Sequence, residues 1–265
     1  VGKSTLLNKI LKTKVAITSD KPQTPRTRIM GALTRPDGQI VFVDTPGIHK
    51  PRTALGTRLN ATAQSTIADV DLVCFVIDAT QPYGRGDQWV ANLVPKDGIC
   101  ILNKTDRASR EEIVNQLNAI GELGLTEYFP VSARTGDGIE PLLEHLLARL
   151  PDGPQYFPDD MVTDVPEAFW VAELVREQLL RRTHDELPHS IAARVTEWDP
   201  PFIRCEVLVE RESQKGIVIG KKGIVLKEVG TAVRLQLPEG TYLELLVKVD
   251  KDWQSRPRAM ERFGY

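Results

Sequence analysis

What this 265-residue chain lacks narrows its role first. It has no run of eighteen apolar residues, the length that a helix needs to cross a bilayer, so no membrane span is predicted. Cysteine is scarce: Cys74, Cys100 and Cys205 lie far apart within apolar runs, odd in number and without metal-ligand spacing. They read as core thiols of a reducing compartment rather than as a disulfide framework or a zinc site. Histidine is nearly as rare, and His49, His145, His184 and His189 have neither ligand spacing nor a paired nucleophile, which assigns them to structure or surface. No signal-peptide pattern is visible in these residues. The net charge of −2 is too near neutral to point to a nucleic acid by itself. Its distribution says more. From Lys215 to Tyr265 ten Lys/Arg face six Asp/Glu, a balance of +4, while residues 1–214 carry −6.

The chain is 41% hydrophobic, enough for a sizeable core, and its length fits two domains better than one. Strand-length apolar runs recur at Ile29 to Leu33, Ile40 to Val43, Leu72 to Ile77, Ile99 to Leu102 and Tyr128 to Val131. Some are continuous rather than alternating, as in strands buried on both faces. Helical patterns lie between them, Ile113, Leu117, Ile120 and then Ile139, Leu142, Leu143, Leu146, Leu147, Leu150. This alternation predicts an α/β fold with a mostly parallel sheet. The turn Pro36-Asp37-Gly38 is too tight for a crossover, so the first two strands form an antiparallel hairpin at one edge. Pro151-Asp152-Gly153-Pro154, continuing to Pro158, stops the pattern. Residues 1–150 are therefore assigned to one domain, 151–165 to a linker and 166–265 to a second domain with a tail. In that second part the order is α-β-β-α-α-β.

Val1-Gly2-Lys3-Ser4 is the closing half of G-x-x-x-x-G-K-[ST], a loop whose backbone N–H groups cradle phosphates, whose Lys reaches the β/γ-phosphates and whose Ser binds Mg²⁺. Ser4 to Leu11 supplies the helix that leaves such a loop. The opening glycine and the strand leading in are expected before Val1, so the sheet's first strand is expected to be missing here. Asp44-Thr45-Pro46-Gly47 directly follows the strand Ile40 to Val43, where Asp44 reaches Mg²⁺ and the Gly47 N–H faces a γ-phosphate. In isolation these residues also fit a plain turn. Asn103-Lys104-Thr105-Asp106 ends the strand Ile99 to Leu102, at the carboxyl edge where α/β sheets bind ligands. A carboxylate there accepts from guanine N1–H and from the exocyclic amine, a donor pair that adenine lacks. Ser132-Ala133-Arg134 follows the next strand and can present a backbone N–H to guanine O6.

These four signals, in this order, resemble the translation-factor-like P-loop GTPases. The alternative of a kinase or ATPase gives Asn103 to Asp106 no rationale. The loop Ser19 to Arg28 is the expected first switch, where a Thr closes over Mg²⁺ and the γ-phosphate. Pro25 stands where related GTPases commonly have that Thr, and proline has no side-chain ligand, so Thr24 is the candidate. Ile48 occupies the place of the water-orienting Gln of Ras-like enzymes and cannot do that work, which predicts slow turnover without a partner. The site set is Gly2, Lys3, Ser4, Thr5, Asp44, Gly47, Asn103, Lys104, Asp106, Ser132 and Ala133 for GTP. Within this site Lys3, Thr24 and Gly47 are the catalytic candidates, and Ser4, Thr24 and Asp44 hold Mg²⁺.

Gly220-Lys221-Lys222-Gly223 lies between two apolar stretches in the basic end. Such a G-x-x-G loop brings backbone close to a nucleic-acid backbone, as in KH domains. Lys215, Gly220, Lys221, Lys222 and Gly223 are the RNA-binding candidates. Lys248, Lys251, Arg256, Arg258 and Arg262 either extend that face or are ordinary solvated charges. Trp170, Trp198 and Trp253 lie among core-period residues and are read as packing.

A GTPase followed by a KH domain of this order resembles the bacterial Era family of ribosome-assembly GTPases. The resemblance is carried by Lys21-Pro22-Gln23-Thr24, Asp44-Thr45-Pro46-Gly47-Ile48-His49-Lys50-Pro51, Asn103-Lys104-Thr105-Asp106, Arg176 to Leu180, Glu186 to Ser190, and Ser213 to Gly223. It implies a cytoplasmic, monomeric protein with peripheral membrane association at the inner face of the membrane. It also implies binding to the small ribosomal subunit and its RNA near the 3′ end, with GTP as substrate, GDP as product and Mg²⁺ as cofactor. The competing reading is a GTP-dependent switch whose C-terminal domain binds a protein or a membrane surface.

Overall fold

The structure is a computed structural model that describes the chain except Pro22, Gln23, Arg52, Thr126, Asp185, Glu186 and the side chain of Pro188. Its contacts group into two units: Val1–Thr18 with Thr27–Pro51 and Leu59–Asp164, and Ser19–Arg26 with Arg52–Arg58 and Val165–Tyr265.

The first unit begins with helix α1 (Lys3–Leu11), the hairpin β1 (Ile29–Arg35) and β2 (Gly38–Asp44), and helix α2 (Ala54–Asp69), whose first turns lie in the second unit. It continues through β3 (Cys74–Asp78), α3 (Arg85–Ala91), β4 (Ile99–Asn103), α4 (Arg110–Gly121), β5 (Glu127–Pro130) and α5 (Ile139–Arg149). β1 and β2 are antiparallel, with Ile29 opposite Asp44. β3, β4 and β5 form a parallel sheet in sequence order, and among the described residues no ladder joins it to the hairpin. All five residues of β4 are buried, as its continuous apolar run requires of a central strand. Leu6, Leu7, Ile10 and Leu11 of α1 and Ile139, Leu142, Leu143 and Leu146 of α5 close one core with Ile40, Ile99 and Ile101. Phe75, Ile77, Cys100, Leu102 and Ile120 form another. The expected hairpin and parallel strands are present, each within two residues of its expected ends.

Residues 151–164, expected as a linker, belong to the first unit. Gln39 accepts from the backbone N–H groups of Tyr156 and Phe157 and donates to the Phe157 carbonyl, while the Ala32 N–H donates to the Val162 carbonyl at 2.8 Å. Proline bars this stretch from helix but leaves it free to run along the hairpin.

The second unit contains α6 (Glu167–Arg182), α7 (Leu187–Ser190), β6 (Ala192–Asp199), β7 (Phe202–Val209), α8 (Glu212–Ile219), α9 (Ile224–Arg234), β8 (Tyr242–Val249) and α10 (Pro257–Arg262). The sheet runs β6-β7-β8, with β6 antiparallel and β8 parallel to β7. Val171, Leu174, Val175 and Leu179 of α6 pack with Ile203, Cys205, Val207, Val218, Val229 and Val233. The α-β-β-α-α-β order is present with two short helices added. Trp253 is fully buried and Trp170 packs against the core, but Trp198 is 39% exposed, since it sits at the hairpin end beyond the helices' cover. Cys100 and Cys205 are buried and Cys74 partly so, and desolvation pushes each thiol up to about 12, which keeps them unreactive.

Candidate nucleotide and RNA sites

α1 is preceded by Gly2 as its N-cap, whose φ of 93° is in the left-handed region. A Cβ there would lie 2.7 Å from Asn103 Nδ2, so both the turn and the close approach demand glycine. No side chain caps the first turn, which leaves its N–H groups to an anion. Lys3 is half-buried, and its Nζ comes 3.7 Å from the place a Gly47 Cβ would take, so Lys3 and Gly47 are neighbours. Ser4 Oγ donates to Asp44 Oδ2 at 2.5 Å, both residues being buried. Asp44 Oδ1 is also buried and has no hydrogen-bond partner among the described residues. Burial pushes the Asp44 carboxyl up from its ordinary range, and Lys3 and Ser4 pull the other way. A hydroxyl and a carboxylate, one of whose buried oxygens is unmatched, are hard-oxygen donors that fit Mg²⁺. Thr5 is exposed on α1. Thr24 lies in the second unit, and its Oγ1 is buried without a hydrogen-bond partner among the described residues. Gln23 is outside the described residues.

The second cluster forms where β3, β4 and β5 end. Asp78 and Asn103 stand level in the ladder, and Val131 follows β5. Asn103 is 1% exposed: its Nδ2 donates to the Val1 carbonyl at 3.0 Å, and its Oδ1 accepts from Lys104 N at 2.8 Å and Ala133 N at 3.0 Å. One amide thus fastens the phosphate loop, its own turn and the Ser132 loop together. The Ala133 N–H, expected to face guanine O6, donates to Asn103. Lys104 takes φ 69° and its amine pairs with Asp78, which also accepts from Thr80. Burial opposes ionisation of Asp78, but the bonds from Lys104 and Thr80 outweigh it and lower its pKa. Asp106 accepts from Ser132 Oγ and Arg134 Nε, each at 2.6 Å. These two bonds hold its carboxyl below the usual range. Sequence reasoning gave Asp78 and Arg134 no role of their own. Asp78 left one signal, an acid closing an apolar run at the carboxyl edge, and Arg134 none.

In the second unit, Gly220 has φ 73°, and a Cβ there would come within 2.5 Å of Val225 Cγ2. Lys222 and Gly223 also have positive φ, 55° and 77°. Lys221 and Lys222 are exposed and have no ion pair among the described residues, while Lys215 is half-buried. Ile217 and Ile224, on either side of the loop, are 57% and 55% exposed. Exposed apolar groups beside a close-approach loop with two free amines suit bases and phosphates together. Of the further basic residues, Lys248 pairs with Glu206, and Arg256 and Arg262 pair with Asp250. Lys251 and Arg258 are exposed. Among the histidines, His145 bonds Glu127 at 2.7 Å, and no cluster of three metal-binding side chains occurs among the described residues.

Residues 1–104 match the family model described as 50S ribosome-binding GTPase, and residues 186–254 match the KH domain. The chain is 46% identical over 283 residues to GTPase Era of Mycobacterium tuberculosis, covering all of this chain and 94% of that protein. It is 45% identical to GTPase Era of Mycobacterium avium, with the same coverage. Among solved structures, it superposes with a TM-score of 0.95 at 38% identity on Era in complex with MgGDPNP and nucleotides 1506–1542 of 16S ribosomal RNA, over all of this chain and 95% of that one. An Aquifex aeolicus Era variant bound to GDP and AlF4⁻ gives 0.93 at the same identity and coverage. With an α/β nucleotide unit and a KH unit in one continuous full-length match, the chain belongs to the Era GTPase family.

Proposed function

We propose that the chain is a GTP-hydrolysing switch whose KH domain binds small-subunit ribosomal RNA near its 3′ end and assists assembly of the small ribosomal subunit. The observation that carries the reading is the buried Ser4–Asp44 pair with its unmatched Asp44 Oδ1, close behind the lysine of a phosphate loop. The α1 N–H groups and the Lys3 amine take up charge on the β- and γ-phosphates, and the Gly47 N–H donates to the γ-phosphate. Ser4 and Asp44 would hold Mg²⁺, which when bound would neutralise charge on the phosphate oxygens, and Thr24 as a further ligand is carried by the family resemblance alone. Asp106 accepts both guanine donors, displacing Arg134 Nε. Asn103 keeps the loops around the base in register, and Lys104 is fixed beside it by Asp78. The Ile48 side chain offers no polar atom to the attacking water, so turnover is slow until a cation, another switch residue or a partner completes the site.

The RNA half is supported by the backbone of Gly220 to Gly223 and the exposed Lys221 and Lys222. The proposed partner is the segment corresponding to the RNA in the solved Era complex, which makes the chain cytoplasmic. Action as a monomer, and peripheral association with the membrane, are carried by the family resemblance alone. No helix among the described residues is long and apolar enough to cross a membrane.

A gel shift of the full chain with small-subunit RNA fragments, in GTP and in GDP, tests the reading. A shift specific to fragments from the 3′ end is expected. GTP hydrolysis without any RNA shift would instead favour a protein- or membrane-binding C-terminal domain, and no guanine-nucleotide binding would defeat the whole reading.

A further inference from the structure

The expected first switch runs from Ser19 to Arg28, yet Ser19–Arg26 belongs with Val165–Tyr265. Arg26 accounts for much of this. It is 2% exposed, and its two terminal nitrogens donate to the carbonyls of Ile191 at 2.7 Å and His189 at 2.8 Å. Its guanidinium carbon lies 5.6 Å from the Trp253 ring centre and 5.3 Å from that of Tyr265. Trp253, fully buried, donates from its indole to the Ser190 carbonyl at 2.9 Å. Three successive carbonyls leading into β6 are therefore claimed by Arg26 and by the tryptophan beneath it. A buried guanidinium is costly compared with an apolar side chain of similar volume. Packing alone would favour the apolar residue; the fork fixes which backbone stretch this loop meets.

On the other side the tether is short. Three residues after Arg26 comes Ile29, the ladder partner of Asp44, so at full extension about 10 Å of chain separates the cage from β1. A shift of the loop transmits through covalent bonds to Asp44's own strand pair, and Thr24 is two residues upstream.

We propose that Arg26 couples the two ligand sites: caged by Trp253, Tyr265 and the carbonyls of His189 and Ile191, it carries changes of the nucleotide-binding switch into the start of β6 and the C-terminal segment. This rests on the guanine-nucleotide reading above, and coupling of this kind must act equally in both directions.

The test is hydrogen exchange on the full-length chain, loaded with GDP or with a non-hydrolysable GTP analogue, read at the amides of residues 189–195 and 253–265. Nucleotide titrations are run alongside. The parent is expected to show a nucleotide-dependent change of at least threefold in exchange rate there. Arg26→Ala is expected to lose it while its affinity for both nucleotides stays within about threefold. Arg26→Lys keeps the buried charge but not the fork, guards against a folding failure of the alanine variant, and is expected to lose most of the difference too. The ratio of RNA affinities in the two nucleotide states should shrink in parallel. A parent that binds both nucleotides without the change, or variants that retain it in full, would overturn the coupling but not the GTPase reading. Failure of the parent to bind guanine nucleotide would overturn both.

Discussion

In the N-terminal unit the side chains proposed to meet a ligand are held by other side chains, Ser4 by Asp44, Asp106 by Ser132 and Arg134, Lys104 by Asp78, beside the backbone N–H groups of α1 and Gly47. In the Gly220 to Gly223 loop the atoms offered to a ligand belong to backbone with positive φ at Gly220, Lys222 and Gly223 and to two amines without ion pairs among the described residues. The first arrangement is preorganised, so each group is worth most in one geometry and little outside it. The second is electrostatic and tolerant, suited to a polymer with a charge at every step. Selectivity for one base therefore belongs to the first unit, and affinity graded by charge and salt to the second.

The largest expected effect breaks the second half of this contrast. Lys221→Asp with Lys222→Asp exchanges two phosphate contacts for two repulsions. Affinity for small-subunit RNA should fall by roughly 10²-fold at low salt, and the slope of log affinity against log salt should shrink by about 2. GTP hydrolysis without RNA should stay at the parent rate. Filter binding across a salt series decides it: equal affinity at every salt concentration would remove this loop from the RNA interface.

Asp106→Asn breaks the first half. An amide accepts with one atom and must present donors with the other, so it opposes the guanine amine. The loss is roughly ten- to a hundredfold in GTP affinity, the worth of a charge-assisted bond, with preference moving toward xanthosine nucleotides. The amide also weakens the pair with Arg134, but Arg134 is exposed, so melting should change little. Unaltered GTP affinity by titration would take Asp106 out of the base site.

These two predictions were open to the sequence; other parts of the site were not. Asp44 and Asn103 close apolar runs, with Asp106 three residues beyond the second, and a residue that ends a buried strand lies at the ligand edge wherever the strand is placed. Asn103's three bonds reach Val1, Lys104 and Ala133, and two of those partners are set by folding rather than spacing. Arg26 was legible only as a loop cation, because its cage comes from residues more than 160 positions away. α2 escaped for another reason: its buried positions Leu55, Gly56, Leu59, Asn60, Ala63 and Thr66 include only two large apolar residues, too weak a period to read. The stretch 151–164 reads as a linker since proline hides strand-like contacts made through Gln39 and backbone.

A smaller effect sharpens the description of the RNA loop as a backbone device. Gly220 and Gly223 both have positive φ, but only at Gly220 would a Cβ strike a neighbour, Val225; at Gly223 nothing lies within 4 Å. Gly223→Ala should cost about 1–2 kcal/mol, the left-handed penalty alone. Gly220→Ala should cost about 1–3 kcal/mol more from overpacking. Chemical denaturation measures both. Equal losses would mean that conformation and not contact sets the Gly220 requirement.

The smallest effect concerns charge used for structure in the basic unit. Glu206 is 5% exposed, yet it accepts from Arg194 at 2.8 Å and pairs with Lys248. Burial alone would raise its pKa, but the bonds from Lys248 and Arg194 prevail and lower it. A depressed carboxylate adds stability above its unfolded pKa, and that stability disappears as pH falls through the folded value. The contribution is thus complete at neutral pH and fades as pH falls through about 4.3, where an ordinary Glu is half protonated, toward the lower folded value. Glu206→Gln should cost about 1–2 kcal/mol at pH 7 by weakening two charge-assisted bonds. Its melting temperature should then approach that of the parent as pH drops toward 3. A gap between the two that stays constant from pH 7 to 3 would mean that Glu206 stabilises the sheet by shape and not by charge, and that the basic unit keeps its net charge for RNA without spending any of it on this triad.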